Sequence, residues 1–547
     1  MERSATATLA LSLAVGAALT VRAQSPAANV PFLDNLGSHT YTITTGVPLA
    51  QRYFDQGLRL YYGFNHAESI RAFQEATRQD PACAMCYWGI ALASGPNINA
   101  PMDRQAGLTA YDAIRQAVAR EATAGPTERA LIQALVARYA ADPPDDRSGL
   151  DAAYARALGE VVRQYPMDLD AATLYAEALM DLSPWNYWTS EGTPRPDTPV
   201  ILAQLERVMA ANPNHPGANH FYIHAVEAVQ PERAVTAAER LARLMPGAGH
   251  IVHMPGHIYV RVGRYQDAIA ANEHAVHTDE TYIRDHRPAP GIYTASYYPH
   301  NYDFLAFAAS MIGRSRQAIT AAEKITTIVP QALLREPGMA FVQHHQTRHL
   351  QIKVRFSRWA DVLAAPAPAE DLPHARAMWQ YARGRALAAQ GSVSDAEDAL
   401  EQVRATAGDP KVAPVRLEFN TSGAILAVAR EVLAGHVAAA KRDFTAAVTH
   451  LREAVRLEDA LKYGEPPEWS VPVRQELGRL LLSTDRAGEA EQAFREDLKR
   501  FPENGWSLRG LELALRAQGR TAEAVATKVR FDKSLSLIHI TEPTRRS

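Results

Sequence analysis

Small and apolar residues recur along this chain with a period close to 34 residues, and polar residues fill most positions between them. The segment 51–81 has small residues at period positions 8, 20 and 27, an aromatic ring at 24 and a proline at 32. These residues are Gly57, Ser69, Ala76, Phe73 and Pro81. Small side chains at this spacing let neighbouring helices approach closely, and proline ends the second helix. The pattern therefore predicts repeated helix-turn-helix units.

The same pattern returns in the middle and near the end of the chain. Its members there are Gly256, Tyr259, Ala268 and Ala275, and then Gly478, Ala490, Phe494, Pro502 and Ala524. The pattern resembles the tetratricopeptide repeat family across residues 47–533. That resemblance implies an all-α, right-handed helical solenoid. Two longer stretches, Asp181–Pro199 and Thr278–Tyr298, are either functional insertions or padding between repeats.

Composition narrows the possible architecture and partners. No long Gly/Ser linker or charge block divides the 547 residues, which favours one repetitive architecture over several domains. A net charge of −3 and a pI near 6.7 provide no basic surface for nucleic acid. No basic amphipathic anchor for a membrane surface is evident either. We therefore expect no nucleic-acid partner.

The first residues have the pattern of a secretory signal. A charged start is followed by an apolar run over 5–21, and the run ends in Val21-Arg22-Ala23, with small residues at the two positions that signal peptidase reads. The sequence thus predicts a signal peptide over 1–23 and a linker over 24–46, in a periplasmic or secreted bacterial protein. No later stretch reaches eighteen apolar residues, so we expect no stable membrane span after signal cleavage. An uncleaved N-terminal anchor is the alternative.

The last fourteen residues, 534–547, differ in composition from the Ala/Arg/Glu-rich helical sequence before them. They resemble translated sequencing-adapter read-through. We therefore interpret them as a non-native tail.

Histidines cluster in one part of the chain: thirteen of the nineteen lie between His215 and His349. Their spacing places His220, His224 and Glu227 on one helix face, and His250, His253 and His257 on another. Counting within the repeat puts His250 and His300 at position 2, His253 and Asp303 at position 5, and His257 at position 9. In the tetratricopeptide family these positions line the concave groove. The resemblance therefore implies that these side chains face a ligand site.

Clustered imidazoles suit a transition metal such as zinc, copper or iron. Neighbouring first helices of such a solenoid pack about 10 Å apart, so histidines from both can meet. We predict one metal ion held by a subset of His220, His224, His250, His253, His257 and His300. Glu227 and Asp303 could complete the shell, orient a histidine, or act as general bases in metal-assisted catalysis. The alternative is a metal-free scaffold whose polar groove binds a peptide, a protein or a small molecule.

The two cysteines are the other chemical candidates. Cys83 and Cys86 have the spacing of a redox disulfide, but no thioredoxin-like βαβ context surrounds them. Tyr87 stands where a c-type haem site needs histidine. We predict a local structural disulfide in an oxidising compartment. The segments HFYIHAVE and GHIVHMPGHIYVRVGRY are similar to parts of bacterial repeat proteins, but no reaction comes with that similarity, so catalysis stays open.

Overall fold

The computed structural model describes residues 30–289, 291–336 and 338–535, and throughout these ranges the regular structure is helical, with only three isolated β-bridges. The predicted all-α helical-repeat class is confirmed. The predicted signal peptide, 1–23, lies outside the described residues, and so does the predicted tail beyond residue 535. The chain divides into two compact units, 1–225 and 226–547.

The first unit is a series of helices in which successive members pack against each other, as α1 does on α2 and α6 on α7. The helices are α1 (Pro48–Tyr62), α2 (His66–Gln79), α3 (Ala84–Ala93), α4 (Arg104–Val118), α5 (Pro126–Val136), α6 (Ser148–Gln164), α7 (Leu169–Asp181), α8 (Thr198–Ala211) and α9 (Pro216–Val226). Helix α3 starts at a bonded pair of cysteines, Cys83 and Cys86.

In the second unit, too, successive helices pack against each other. Its helices are α10 (Val235–Leu244), α11 (Gly249–His253), α12 (Pro255–Arg261), α13 (Tyr265–His286), α14 (Tyr298–Met311), α15 (Ser315–Ile328), α16 (Ala340–Gln346), α17 (Arg348–Arg355), α18 (Trp359–Leu363), α19 (Pro373–Ala389), α20 (Val393–Gly408), α21 (Ser422–Ala440), α22 (Phe444–Asp459), α23 (Val473–Ser483), α24 (Ala487–Arg500), α25 (Gly505–Ala517) and α26 (Thr521–Leu535). Residues 278–286 of the stretch 278–298 belong to α13, and a short π-helical turn, Tyr293–Tyr297, leads into α14.

Glycine–aromatic contacts hold the repeats together in both units. A β-carbon on Gly57 or Gly89 would lie 2.7 or 2.4 Å from the Phe73 ring. Phe73 of α2 therefore sits between two first helices that only glycine lets come so close. In the second unit, Phe494 sits in the same way between Gly478 and Gly510. These contacts explain the small and aromatic positions of the sequence period.

One repeat departs from this rule. The ring of Phe73 and that of Phe494 each lie sixteen residues after the glycine of the preceding helix, and Leu451 follows Gly435 at the same interval. Sixteen residues after Gly256 the chain has Asn272, whose amide nitrogen would be 2.7 Å from a β-carbon at Gly256. A buried amide therefore takes the place of an apolar side chain in the repeat that carries His253 and His257.

The histidine-bearing first helix of that repeat is interrupted. The sequence predicts one helix face for His250, His253 and His257, but the helix breaks between α11 and α12 at Met254 and Pro255. Proline has no N–H to continue the hydrogen-bond ladder. Met254 keeps right-handed helical angles, so the helical path continues and His253 and His257 stay on one side.

Among the described helices, α21 is long and apolar enough to cross a membrane by length and composition, and half of its apolar window is buried. Its Ile425, Val428 and Val432 belong to the hydrophobic core of the second unit. Core packing accounts for its composition.

Candidate metal centre

Three imidazoles converge in the second unit. The ligand atoms of His253, His257 and His300 all lie within 4.8 Å of one another. His253 and His257 are buried, and His300 enters from the start of α14. Phe304 packs on all three rings, with centroid distances of 4.6, 4.5 and 5.0 Å. The site is therefore a histidine cluster with one apolar wall.

Asn272 fixes the orientation of His253. The Asn272 amide nitrogen donates to the Ala268 carbonyl at 2.8 Å, so the amide oxygen faces His253. His253 Nδ1 lies 2.8 Å from that oxygen and donates its proton to it. The lone pair of His253 is therefore on Nε2, the atom that points into the cluster.

Glu227 has the same effect on His257. Its carboxylate oxygen Oε2 lies 2.7 Å from His257 Nδ1. A carboxylate this close repels a lone pair on Nδ1 and stabilises a proton there. The lone pair of His257 is thus also assigned to Nε2.

The two Nε2 atoms face each other at 2.8 Å. Two lone pairs at this distance repel unless a proton or a metal cation lies between them. A carboxylate or amide oxygen on the outer nitrogen of each ring is also the arrangement that orients metal-binding histidines. This chemistry suits a borderline metal ion, and the nearby negative charge of Glu227 would offset part of the charge on a bound cation.

A second carboxyl group lies in this region. Burial raises the pKa of Glu465 to about 7, and the charges of Arg261 and His257 and the hydroxyl of Tyr463 counteract this rise. Tyr463 donates to Glu465 Oε2 at 2.8 Å, and Arg261 Nε donates to the Glu227 carbonyl at 3.2 Å. Sequence reasoning missed Glu465, although the connection over 460–472 between α22 and α23 is long for a repeat turn.

Asp303, which the sequence suggested as a catalytic base, forms a buried ion pair. Its two carboxylate oxygens lie 2.7 and 2.8 Å from Nε and Nη2 of Arg348. Arg348 also donates to the Glu468 carbonyl at 3.1 Å.

His250 is buried against Tyr297, with ring centroids 4.7 Å apart, and is not one of the three converging imidazoles, which are His253, His257 and His300. A catalytic role for Asp303 and a ligand role for His250 stay predictions.

The other predicted pair lies at the end of the first unit. His220 Nδ1 donates to the Tyr62 carbonyl at 2.7 Å, and its Nε2 lies 3.2 Å from His224 Nε2. His253 follows His220 by 33 residues, and His257 follows His224 by the same number, so the two pairs have the same spacing along the chain. Phe64 packs on both rings from a left-handed backbone conformation, φ 56°, which is strained for a bulky residue.

A histidine cluster that sequence reasoning missed surrounds Asp170 in the first unit. Asp170 Oδ1 accepts from His39 at 2.9 Å and from the Tyr62 hydroxyl at 2.7 Å, and His215 Nε2 lies 3.3 Å away. His215 Nδ1 accepts the Ala218 N–H, so the proton of His215 is on Nε2. Burial raises the pKa of Asp170, but the two histidines outweigh it and hold that pKa far below its usual range. The contacts of His39, Tyr62 and His215 with Asp170 form a hydrogen-bond network around its carboxylate, and the ligand atoms of the two histidines and Asp170 also lie within 4.8 Å of one another.

Buried titratable groups make the stability of the fold depend on pH. Burial raises the pKa values of a set of carboxyl groups toward or above neutrality, and lowers those of a set of histidines. The carboxyl groups are Glu177, Asp181, Asp279, Glu458 and Glu465, and the histidines are His66, His349, His374 and His436. Below the ordinary histidine pKa, the two sets change the free energy of unfolding with pH in opposite directions. The carboxyl groups take up protons on folding, and the histidines release them.

Above pH 6.5 the contribution of the histidines fades as the unfolded imidazoles lose their protons, and the carboxyl groups dominate. Their pKa is raised by folding, so the stability they contribute is lost as pH rises through about 7. We expect the free energy of unfolding of chelator-treated protein to fall by a few kcal/mol between pH 6.5 and 8. Glu458→Gln keeps the acceptor for the Val473 N–H and should reduce that fall by about 1 kcal/mol. Denaturant titrations of the wild type and of Glu458→Gln at the two pH values would measure both changes. A free energy of unfolding that rises between pH 6.5 and 8 would contradict the raised pKa values of the carboxyl groups.

No model of a known protein family matches the chain, and neither does any curated protein sequence. Solved structures that resemble it include a human IFIT1 dimer with m7Gppp-AAAA, at 11% identity over 91% of this chain and 92% of that chain, with a TM-score of 0.31. The P58(IPK) TPR domain matches at 12% identity over 86% and 99% of the two chains, with a TM-score of 0.21. Yeast Tom70 matches at 11% identity over 89% and 91%, with a TM-score of 0.29. Matches at this level say nothing about ligands, and the absence of a nucleic-acid partner stays a prediction.

Proposed function

We propose that this chain is an exported helical-repeat protein that binds one transition-metal ion through His253, His257 and His300. The observation that carries the proposal is the facing pair of Nε2 atoms, 2.8 Å apart, whose outer nitrogens lie against Asn272 and Glu227. Zinc, copper and iron accept neutral imidazole ligands of this kind. The third imidazole, His300, brings the donor set to three.

The distances fit a metal after a small movement. Ligand nitrogens about 2.0 to 2.1 Å from a tetrahedral zinc are about 3.4 Å apart. The Nε2 atoms of His253 and His257 would therefore move apart by about half an ångström when the ion binds. A metal-free groove would need a proton between the two facing Nε2 atoms, whereas a bound cation accounts for them together with the third imidazole of His300, which supports the metal over the alternative scaffold.

Metal-assisted catalysis would need an acid or base beside the ion. Glu227 contacts His257 directly, and Glu465 is close enough for the charge of His257 to lower its pKa. Asp303 is less suited to this role because it is held by Arg348. Export belongs to the same proposal and is supported by the signal-like sequence of 1–23 and by the Cys83–Cys86 bond, since disulfides persist in oxidising compartments.

Metal analysis tests the proposal directly. Wild-type protein incubated with zinc, copper or iron salts and then desalted should retain about one ion per chain, and its melting temperature should rise. The double variant His253→Ala, His257→Ala should retain less than about a tenth of that amount, because two of three ligands are gone.

The matched control replaces two histidines that are exposed on α13. His274→Ala, His277→Ala removes as many imidazoles from the same stretch of chain and should leave the metal content unchanged. A wild-type protein that stays metal-free with all three salts would leave the metal-free scaffold as the better account. Equal losses in the two double variants would show that surface histidines hold the metal.

A further inference from the structure

A segment of the first unit that belongs to no helix, residues 38–46, lies along α1. Its residues alternate strictly: Ser38, Thr40, Thr42, Thr44 and Gly46 are exposed, whereas His39, Tyr41, Ile43 and Thr45 are partly or fully buried. Successive side chains of an extended chain point in opposite directions, so this alternation is typical of an extended chain that is bound on one side. We call residues 39–45 the N-terminal arm.

Side chains on one face of α1 bind the backbone of the arm. Arg59 donates to the His39 carbonyl, and Asp55 Oδ1 accepts the Tyr41 N–H at 3.1 Å. Gln51 donates to the Tyr41 carbonyl and accepts the Ile43 N–H, both at 2.9 Å. These three α1 residues are spaced by four.

The arm and α1 match in length along this face of the helix. Four helical residues rise about 6 Å, and two extended residues rise about 6.6 Å. Each turn of α1 therefore meets the next inward-facing residue of the arm, with the arm running in the opposite direction to α1. Because these hydrogen bonds go to the backbone, they do not depend on the side chains of the bound segment.

The inward side chains of the arm each have a defined partner. His39 Nε2 lies 2.9 Å from Asp170 Oδ1, and the Tyr41 hydroxyl donates to Asp168 Oδ2 at 2.9 Å. Ile43 is 5% exposed, and the Thr45 hydroxyl donates to Asp80. Three of the four sites thus offer a carboxylate to a donor side chain, and the fourth is apolar.

We propose that α1 and these carboxylates form a recognition surface for extended polypeptides, which the N-terminal arm occupies in cis. The preferred partner is a peptide with the alternating order imidazole, tyrosine, aliphatic and hydroxyl side chains at every second residue. Backbone hydrogen bonds supply affinity, and the alternate side-chain sites supply specificity. The tether gives the arm an effective concentration of about millimolar, so a competing peptide must bind more tightly or the arm must first be released. This surface is separate from the proposed metal ligands and does not depend on them.

The test releases the arm after folding. A protease site inserted between Gly46 and Val47 uses an exposed position where nothing lies within 4 Å of an added β-carbon. After cleavage, a fluorescent peptide of residues 38–46 should exchange with the cut arm and bind saturably by anisotropy. Its affinity for the cut chain should be at least about tenfold higher than for the intact chain, in which the tethered arm competes.

Peptide variants separate recognition from nonspecific binding. Tyr41→Phe removes the hydroxyl that meets Asp168, and Ile43→Asp places a charge in the apolar site; each should weaken binding by about tenfold or more. Thr42→Ala changes an exposed residue and should leave the affinity within about twofold. A folded cut chain with no saturable binding, or equal affinities for all peptides, would overturn the proposal.

The intact wild-type chain gives a second readout if the inserted site prevents folding. The amides of Tyr41 and Ile43 donate to Asp55 and Gln51, so hydrogen exchange reports whether the arm is bound. Millimolar wild-type peptide should accelerate their exchange, and the Ile43→Asp peptide should not. Protection that is unchanged by excess wild-type peptide would also overturn the proposal.

Discussion

Replacing Asp303 with leucine should lower the free energy of unfolding by about 3 to 5 kcal/mol. The change leaves the Arg348 guanidinium, 1% exposed, without the carboxylate that it contacts through two nitrogens. A buried charge without its counterion is among the most destabilising single changes in a protein. Urea denaturation followed by circular dichroism would measure the effect.

The matched control removes both charges. Asp303→Leu combined with Arg348→Met should cost much less than Asp303→Leu alone, since no isolated charge remains; the Glu468 carbonyl still loses one donor. The same variants address the catalytic prediction for Asp303. If the double variant folds and its metal affinity equals that of the wild type, Asp303 neither binds the metal nor orients its ligands. A single variant as stable as the wild type would contradict the ion-pair account.

Replacing Asn272 with leucine should weaken metal binding by about 10- to 100-fold while changing stability little. Leucine restores the apolar side chain that Leu451 provides sixteen residues after its own repeat glycine, but it removes the oxygen that orients His253. Without that acceptor, the Nδ1 proton and the ring orientation of His253 are no longer fixed. Titration with zinc or copper, by calorimetry or competition with a chromophoric chelator, would measure the affinity.

The control for this variant is Leu451→Asn, which introduces an amide at the same repeat position away from any predicted ligand. It should lower stability, because a buried amide replaces apolar packing, and it should leave metal affinity unchanged. If Asn272→Leu bound metal as tightly as the wild type, then Asn272 would have no role in orienting His253. If it also lowered stability by several kcal/mol, the loss of affinity could reflect unfolding instead.

Much of the fold could be predicted because the signals are local. Gly57 and Phe73 lie sixteen residues apart, and their contact follows from the helix period and the short turn between α1 and α2. The shared side of His253 and His257 likewise follows from their spacing of four, even with Pro255 between them. The sequence also identified His300 as a possible ligand, from its register in the repeat.

The partners of those residues were much harder to predict. The predicted linker over 24–46 contains the N-terminal arm, whose contacts with Asp168 and Asp170 join residues more than 120 positions apart. Arg348 meets Asp303 across 45 positions, and nothing in the spacing of either residue indicates the other. Asn272 fits a helical sequence like any other polar residue, and only its position opposite Gly256 shows that it replaces an apolar side chain.

The sequence by itself determined the all-α repeat class and the clustering of histidines on particular helix faces, because both depend on periodicity within one or two helices. The tertiary structure decided which imidazoles converge, which nitrogen of His253 and His257 points inward, and that Asp303 pairs with Arg348. Those features depend on side chains brought together from different repeats. Proton positions and ion pairs are set by neighbours within about 3 Å in space, and the distance along the chain does not reveal them.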